Sequence, residues 1–456
     1  MTFLSDQGRD AIILKRIITF EHFPAIGAPS SVGQVYLGPF YYYLVAPFLG
    51  LFNFDPVGPA VGVALFSIAG IIASYFAVKK EISSAVAIFF LAILTFSATL
   101  TEYSRFSWNP NLLPYFNFFT LYFFYTLLEK PTIRKGVIFG ALLGFSIQLH
   151  YLGSLLIVPI TLFLIWTLVN FRSFNKYLKS IVSAFFSFIL ALSPLIIFDL
   201  RHDFLNSRQF YKLFTEGGLS SGSSYPTRII ETVHGLIRHG FQLSTTPLIS
   251  IVILLTILTV GILVFRKTKS QFILLHVLNI LLYIFGFALL GGERLAHYYG
   301  PVVMSFYFLC ASSIILIKKS YLQIILASSF ITCYIVMNIP KMYYLFEKGN
   351  NQILEAKNIA LSITKYIKKQ PIQTVALPSI ESDGHYRYFL EIDGYKLLPQ
   401  DSPDQPEELY VICQKICNPT GDGQWQIAAF TNKFLDTQWN VENVTIFKFI
   451  HKKIQI

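Results

Sequence analysis

The stretch PVGPAVGVALFSIAGIIASYFAV, residues Pro56–Val78, contains 23 residues and no charged side chain. A helix needs about 20 apolar residues to cross the hydrocarbon core of a bilayer, so this stretch predicts a transmembrane helix. The rest of the chain has the same character. Of its 456 residues, 54% are hydrophobic and 13% are charged, whereas soluble domains have about 25% charged residues. The composition therefore favours a protein whose main solvent is lipid.

Similar apolar stretches recur along the chain and give ten predicted spans. They are Pro56–Val78, Ile82–Leu100, Leu113–Leu128, Gly136–Leu149, Leu152–Asn170, Ile181–Phe198, Pro247–Phe265, Gln271–Leu290, Pro301–Ile317 and Tyr321–Ile339. Leu37–Phe54 is also apolar, but Pro39, Pro47 and Gly50 interrupt it. We expect that segment to lie in the membrane interface rather than to cross.

Basic residues occupy every second loop between the predicted spans. They are Lys79 and Lys80; Lys130, Arg134 and Lys135; Arg172, Lys176 and Lys179; Arg266, Lys267 and Lys269; and Lys318 and Lys319. Cytoplasmic loops carry an excess of Lys and Arg, so we assign these loops to the cytoplasmic side of the membrane. The opposite side then holds the N-terminal stretch, the long Asp199–Thr246 loop and everything after Ile339. This distribution accounts for the net charge of +11 without a nucleic-acid partner.

The tail differs in composition from the part before it. The spacing in Asn351–Lys368 predicts an amphipathic helix, and short apolar runs at Thr374–Ile380, Leu409–Cys413 and Val444–Ile450 predict strands. The fold class is therefore mainly α, a polytopic helical bundle with a small extracytoplasmic α/β domain. We divide the chain into residues 1–339, of which 1–54 form an external loop with interfacial helices, and residues 340–456.

Cys413 and Cys417 lie on the extracytoplasmic side in this topology, where disulfides persist. The spacing leaves two alternatives open. A bridge requires the segment to bend, because four extended residues span about 13 Å, which is too far for a disulfide.

The charged residues of the membrane part avoid mid-depth. Within the ten spans, His276 is the only Asp, Glu, Lys, Arg or His residue, whereas carriers place ionisable groups or broken helices at the midplane. The remaining charges gather at the outer ends of the spans, which favours chemistry at the outer interface. The candidate residues there are Asp6, Arg9, Asp10, Arg105, His150, Arg201, His202, Asp203, Glu293, Arg294, His297 and Tyr298.

Each candidate group also has a purely structural interpretation. Asp6 and Asp10, four residues apart on one helix face, are also favourable as acids near a helix N-terminus. EYSRFSWNPN (102–111) is typical of an interface anchor, FDLRHDF (198–204) of a helix terminus, and GGERLAHYYGP (291–301) of a hairpin. His150 is typical of a capping or packed histidine. The concentration of these groups on one side of the membrane is the stronger argument for a site.

Several short motifs resemble the C-type (GT-C) membrane glycosyltransferases. SDQGRDA (5–11) and VYLGPFYYYLVAPF (35–48) are similar to the first external loop of glycosyltransferase family 39, which includes protein O-mannosyltransferases and the aminoarabinose transferases of lipid A. QLHYL (148–152), SPLIIFDLRHDF (193–204) and HYYGPVVM (297–304) resemble stretches of bacterial members. The resemblance covers the membrane part as far as about Asn338.

The resemblance implies transfer of a sugar from a polyprenyl-phosphate donor to a protein, lipid or glycan acceptor, outside the membrane and with inversion. In the family the acidic residue of the first loop is the base, which corresponds to Asp6. Many members have a second acid directly after it, where this chain has Gln7, so Asp10 either replaces that acid or orients Arg9. Arginine suits phosphate oxygens, and Arg9, Arg201 and Arg294 are the candidates for the donor phosphate. The remaining candidates (Arg105, His150, His202, Asp203, Glu293, His297 and Tyr298) are assigned to the acceptor and donor pocket.

No HExxH, paired CxxC, P-loop or dinucleotide motif occurs in the sequence. We therefore expect no cofactor and no metal site, and dependence of transfer on a divalent metal is left open. One departure from the family is the transmembrane helix that precedes the first loop in its members, which this sequence lacks. Without that support we expect Asp6 to be poorly fixed. A lipid-linked-sugar flippase is the main alternative, and a receptor whose C-terminal domain binds a glycan is the third.

Overall fold

The computed structural model describes residues 2–30, 35–171, 174–215, 222–378 and 382–452. Arg172 of the predicted cytoplasmic loops lies outside these ranges. The helices are α1 (Ser5–Ile18), α2 (Phe40–Leu51), α3 (Val57–Glu81), α4 (Ser84–Thr95), α5 (Ala98–Tyr103), α6 (Leu113–Glu129), α7 (Ile133–Leu149), α8 (Ile157–Phe171), α9 (Phe174–Arg201), α10 (Leu205–Thr215), α11 (Tyr225–Phe241), α12 (Pro247–Thr268), α13 (Gln271–Phe287), α14 (Gly300–Ser312), α15 (Ser320–Asn338), α16 (Gln352–Thr364), α17 (Gly384–Ile392) and α18 (Trp425–Ala429). The strands are β1 (Ile372–Leu377), β2 (Glu408–Cys413), β3 (Lys433–Val441) and β4 (Val444–His451).

A helix lies at each of the ten predicted spans, which confirms a mainly helical membrane bundle. Within the described ranges, six helical segments are both long and apolar enough to cross a membrane. These are Val57–Glu81, Tyr151–Asn170, Asn175–Arg201, Pro247–Thr268, Ala296–Leu316 and Ser320–Lys341. Other helices at predicted spans are shorter, such as α4 with 12 residues, and pack inside the bundle.

Close packing between α7 and α9 depends on glycines spaced four residues apart. A Cβ atom built on Gly140 would lie 2.1 Å from the carbonyl oxygen of Ala184, and one on Gly136 would lie 2.3 Å from that of Ser180. Because helices in lipid associate largely through van der Waals packing, small residues at such a seam let the backbones approach. This seam fixes the end of α7, which precedes His150.

Helix α2 has 12 residues and contains Pro47. At 1.5 Å per residue it is about 18 Å long, which is too short to span a hydrocarbon core of about 30 Å. Its length supports the prediction of an interfacial segment at Leu37–Phe54. The long Asp199–Thr246 loop, in contrast, contains α10 and α11, which the sequence pattern did not predict.

The C-terminal part contains a four-stranded sheet of order β1-β2-β4-β3. β1 and β2 are parallel, and the other two pairs are antiparallel. The predicted helix at 351–368 and the three predicted strands are present with shifted ends, whereas α17 and β3 were not predicted. Cys413 and Cys417 form a disulfide with a Cα–Cα distance of 6.1 Å, because the chain bends directly after β2. The extended alternative for this segment is therefore wrong.

Helix α1 packs against both α2 and α17. A Cβ atom on Gly8 would lie 2.2 Å from the backbone nitrogen of His385, and the ring of Phe3 lies 5.9 Å from that of Phe389. Arg16 Nη2 also lies 2.9 Å from Glu391 Oε1. The expectation of a poorly fixed Asp6 is therefore wrong, because the C-terminal part supports the helix that carries it.

Candidate active site

The two predicted carboxylates of α1 share one arginine. Arg9 Nη1 donates to Asp6 Oδ1 at 3.0 Å, and its Nε and Nη2 donate to Asp10 Oδ1 at 3.0 and 2.8 Å. The spacing explains the arrangement, since residues three apart are neighbours on a helix surface. The side chain of Asp6 is 50% exposed and that of Asp10 only 2%. Asp6 is therefore the carboxylate that an incoming molecule can reach.

Asp10 lies in a buried environment that α2 completes. The hydroxyl of Tyr42 donates to Asp10 Oδ1 at 3.1 Å, and Oδ2 of Asp10 has no hydrogen-bond partner. Burial raises the pKa of Asp10, and the charge of Arg9 offsets part of that rise. A buried, arginine-bound carboxyl of this kind suits a positioning role better than proton exchange with a substrate.

A second cluster joins aromatic and imidazole rings from three loops. The ring of His297 lies 4.6 Å from that of Trp108 and 5.8 Å from that of His150. The rings of His150 and Tyr298 are 5.5 Å apart. The Nδ1 atom of His150 accepts the backbone N–H of Leu152 at 3.2 Å, and burial lowers the pKa of this histidine. His150 is therefore neutral and is held at the end of α7.

The two clusters are connected through α2. Next to Tyr42, the hydroxyl of Tyr41 lies 2.7 Å from Ser107 Oγ. Ser107 directly precedes Trp108, which contacts His297. The side chain of Asn109 donates to the carbonyl of Leu149 at 2.6 Å, which ties the same loop to α7.

The five motifs that carry the family resemblance are joined by contacts. Asp10 of the first meets Tyr42 of the second. Gln148 of the third accepts the backbone N–H of Phe40 at 3.0 Å. The ring of Phe198, in the fourth, lies 5.4 Å from that of Tyr36, and His297 of the fifth contacts His150. Segments hundreds of residues apart thus surround one region at the outer end of the bundle.

Arg294 borders an open cavity of about 720 Å³ with Glu231, Arg238, His239 and Glu293. Its Nη2 donates to the carbonyl of Leu290 at 2.9 Å, and its guanidinium lies 4.5 Å from the ring centre of Phe287. Its Nε and Nη1 atoms have no hydrogen-bond partner. Burial lowers the pKa of Arg294, but an arginine stays charged at neutral pH. Both atoms are buried, so Arg294 borders the cavity while two of its donors remain unsatisfied inside the protein.

The group at 199–203 ends a helix and has exposed side chains. Asp199 accepts the backbone N–H of Asn206 at 2.7 Å and so caps α10. His202 Nδ1 lies 2.8 Å from the carbonyl oxygen of Phe198, and Asp203 has a φ of 51°. Arg201 is exposed at the end of α9. In the described part of the chain, no hydrogen bond or ion pair joins Arg201, His202 or Asp203 to the clusters around Asp6 or His297.

Arg105 also lies apart from the second cluster. Its guanidinium stacks 3.4 Å above the ring centre of Tyr344, and both residues line a cavity of about 120 Å³ with Glu102 and Glu347. No group of three His, Cys, Asp or Glu residues within the described ranges could hold a metal ion.

Several site residues escaped the sequence analysis. Tyr42 contacts Asp10 and His239 contacts the backbone of Arg294, while Tyr41 and Ser107 join the two clusters. Each of the four lies in a segment that was interpreted as apolar, as an interface anchor or as a long loop. The tyrosine run in VYLGPFYYYLVAPF was interpreted only through the resemblance of this motif to the family, and no role was assigned to its hydroxyls. Its neighbouring hydroxyls, which would be costly to leave unpaired in an apolar segment, were the available signal.

Comparisons with known proteins agree with this architecture. Residues 37–198 match the family model described as dolichyl-phosphate-mannose-protein mannosyltransferase. The crystal structure of ArnT from Cupriavidus metallidurans bound to undecaprenyl phosphate superposes with a TM-score of 0.64 at 12% identity, covering 97% of this chain and 93% of that chain. The apo state of the same protein gives a TM-score of 0.60 at the same identity and coverage. No curated protein matches significantly in sequence. The chain therefore has an ArnT-like fold of membrane helices, as the resemblance predicted, and part of it matches the mannosyltransferase family model.

Proposed function

We propose that this chain is a membrane glycosyltransferase that moves a sugar from a polyprenyl-phosphate donor to an acceptor on the extracytoplasmic face. The observation that carries the proposal is the set of contacts joining the five motifs, from Asp10–Tyr42 to His150–His297. The ArnT-like fold supports it, since the matching ArnT structure contains undecaprenyl phosphate. The membrane is the plasma membrane of a bacterium, and the C-terminal part lies outside the cell.

The base in this proposal is Asp6. Its carboxylate takes the proton of the acceptor hydroxyl while that oxygen attacks the anomeric carbon of the donor sugar. The bond from this carbon to the phosphate oxygen breaks, and the polyprenyl phosphate leaves with the electron pair. Attack from the face opposite the leaving group inverts the configuration. The half-exposed position of Asp6 supports this role, because a general base must come within hydrogen-bond reach of the proton it removes.

Arg9 and Asp10 position that base. The guanidinium of Arg9 already donates to both carboxylates, and the trio carries one net negative charge when both acids are ionised. Such a trio holds a lipid phosphate poorly. Asp10 therefore acts by orienting Arg9, which in turn orients Asp6.

The phosphate is held by Arg294. Its Nε and Nη1 atoms are buried without a partner, and in this proposal the side chain turns into the cavity so that they donate to phosphate oxygens in the geometry that a guanidinium favours. The cavity is not uniformly positive, because Glu231 and Glu293 also border it. The assignment of the phosphate therefore depends on the hydrogen-bond donors of Arg294 and not on the overall charge of the cavity. His150, His297 and Tyr298 are assigned to the acceptor and donor pocket.

The test uses the full chain in proteoliposomes, where both transfer and transport can be measured, with an undecaprenyl-phosphate-linked pentose or hexose as donor. Asp6→Asn should lower the transfer rate by about 100-fold or more, which is the contribution expected of a general base, while donor binding is retained. Asp401→Asn, an exposed carboxyl of the C-terminal part, is the matched control and should transfer normally. Unchanged transport of the lipid-linked sugar in Asp6→Asn, with no transfer by the unmodified chain, would establish the flippase instead.

A further inference from the structure

A polar cavity of about 230 Å³ lies between α1 and the C-terminal sheet, apart from the exposed carboxylate of Asp6. Phe3 and Leu4, directly before α1, form one wall, and Gln352 of α16 forms part of another. His385 and Gln414 follow the carboxyl ends of the parallel strands β1 and β2. In open α/β sheets, ligands bind in the crevice outside the carboxyl ends of parallel strands.

One buried polar atom in this cavity has no partner. His385 is only 6% exposed, and its Nδ1 atom makes no hydrogen bond. Burial lowers the pKa of His385 to about 4, so its ring is neutral and offers one donor and one acceptor. A buried polar atom without a partner is costly, and a ligand hydroxyl in the cavity would remove that cost.

The lining selects a class of ligand. Gln352, Glu355, Gln414 and Asn443 supply amide and carboxylate groups, and the lining contains no Lys or Arg. An anionic ligand would have no countercharge here. Gln352 Oε1 accepts the Phe3 N–H and Gln414 Nε2 donates to the Tyr386 hydroxyl, which leaves Gln352 Nε2, Gln414 Oε1 and the Glu355 carboxylate as groups that an extended apolar ligand would not satisfy. A sugar hydroxyl can both donate and accept a hydrogen bond, so amide, carboxylate and imidazole groups can all bind it. The volume corresponds to about eight waters at about 30 Å³ each, which is room for a single sugar residue.

We infer that this cavity binds one neutral sugar residue of a carbohydrate ligand, with His385, Gln414, Gln352 and Glu355 as its hydrogen-bonding groups. One part of this inference rests on the proposed function, namely that the bound sugar residue belongs to the acceptor. The donor sugar stays with its lipid phosphate beside the membrane part, so a sugar held against the C-terminal sheet belongs to the other substrate.

Binding is measured without any donor or turnover. The probes are the methyl glycosides of glucose, galactose, mannose and N-acetylglucosamine, applied to the full chain in nanodiscs and followed by saturation-transfer NMR. At least one glycoside should show saturable binding. The double variant Glu355→Gln, Gln414→Leu should weaken that binding at least about fivefold, since two hydrogen bonds of about 0.5–1.5 kcal/mol each are affected.

Two further variants keep the test decisive. Asn443→Trp places a large ring at the exposed rim and should block binding while the thermal unfolding temperature is unchanged. Glu407→Gln, Gln438→Leu, which changes exposed residues of the same sheet domain, should bind as the unmodified chain does. Equal binding by all variants, or no binding of any of the four glycosides, would overturn the inference.

The proposed function and the sugar site in the cavity can be disproved independently of each other. Asp6→Asn should bind the glycoside normally although it transfers no sugar. If the unmodified chain binds the glycoside but transfers no sugar, the acceptor assignment and the proposed function are wrong, while the cavity is still a sugar site. If Asn443→Trp leaves sugar transfer unaffected and no glycoside binds, the sugar site in the cavity is disproved but the proposed function is not.

Discussion

The carboxylates of α1 and the guanidinium of Arg294 lie at the same end of the bundle but differ in how their charges are satisfied. Asp6, Arg9 and Asp10 donate and accept among themselves, with Tyr42 as a further donor. Arg294 uses Nη2 on a backbone carbonyl and leaves Nε and Nη1 without partners. All three side-chain nitrogens of Arg9 donate to carboxylates, and Asp10 Oδ2 is the atom of that group left without a partner, whereas two of the three nitrogens of Arg294 have none.

Whether an arginine already has hydrogen-bond partners indicates its role, which the residue type alone does not. Both regions contain an arginine that the sequence offered for the donor phosphate. An arginine that already holds two carboxylates contributes by fixing their positions, and an arginine with free donors beside a cavity can take up a ligand. Three predictions test this contrast, beginning with the largest effect.

Gly8→Ala should separate α1 from α17 and displace the carboxylates. The added Cβ would lie 2.2 Å from the backbone nitrogen and 2.3 Å from the Cα atom of His385, and backbone atoms cannot move aside as a flexible side chain can. Because a displacement of about 1 Å can cost about 100-fold in rate, we expect a loss of that order in transfer and a lower thermal unfolding temperature. Gly423→Ala, where the added atom meets nothing within 4 Å, is the control. Normal transfer by Gly8→Ala would show that α1 needs no support from the C-terminal part.

Arg294→Gln should weaken binding of the donor without altering the α1 carboxylates. Hydrogen bonds to charged groups contribute about 1.5–3 kcal/mol, so the Kd for undecaprenyl phosphate should rise by about 10-fold to 100-fold. The measurement is fluorescence or calorimetric titration of the full chain in detergent. Arg134→Gln, an exposed arginine at the opposite end of the bundle, should leave the Kd unchanged. An unchanged Kd in Arg294→Gln would mean that other residues hold the phosphate.

Asp10→Asn should change how stability depends on pH. The pKa of Asp10 is raised by burial in the folded chain, against about 3.9 when unfolded. Its contribution to stability is therefore complete below about pH 3.9 and is lost as the pH rises through the folded pKa. The thermal unfolding temperature of the unmodified chain should fall relative to that of Asp10→Asn between pH 4 and pH 7.

Glu21→Gln is the matched control for this pH dependence. Hydrogen bonds from Lys15 and Thr19 lower the pKa of Glu21, so its small contribution is present at neutral pH and lost as the pH falls. The two variants should thus differ from the unmodified chain with opposite slopes. Parallel slopes would mean that Asp10 is no more buried than a surface acid.

Much of the fold was predictable because lipid imposes a simple rule on sequence. Spans such as Pro56–Val78 must be apolar along their length, since an unpaired polar group in hydrocarbon is costly. The helices of the Asp199–Thr246 loop were missed because amphipathic helices at an interface mix polar and apolar residues and give no long apolar run. Strand β3 was missed for a similar reason, since five of its nine residues are polar or charged and one of its faces is largely exposed.

The sequence alone determined the membrane character, the helices at the ten spans, and the pairing of Asp6 and Asp10 on one helix face. All of these depend on residues near one another in the chain, where helical periodicity and the length of a span decide the outcome. Only the tertiary structure decided that Asp10 is buried, that Arg294 keeps free donors, and that α17 supports α1. These properties arise from contacts between residues up to about 380 positions apart, such as Gly8 and His385, and no local pattern encodes which distant backbone will meet a given side chain.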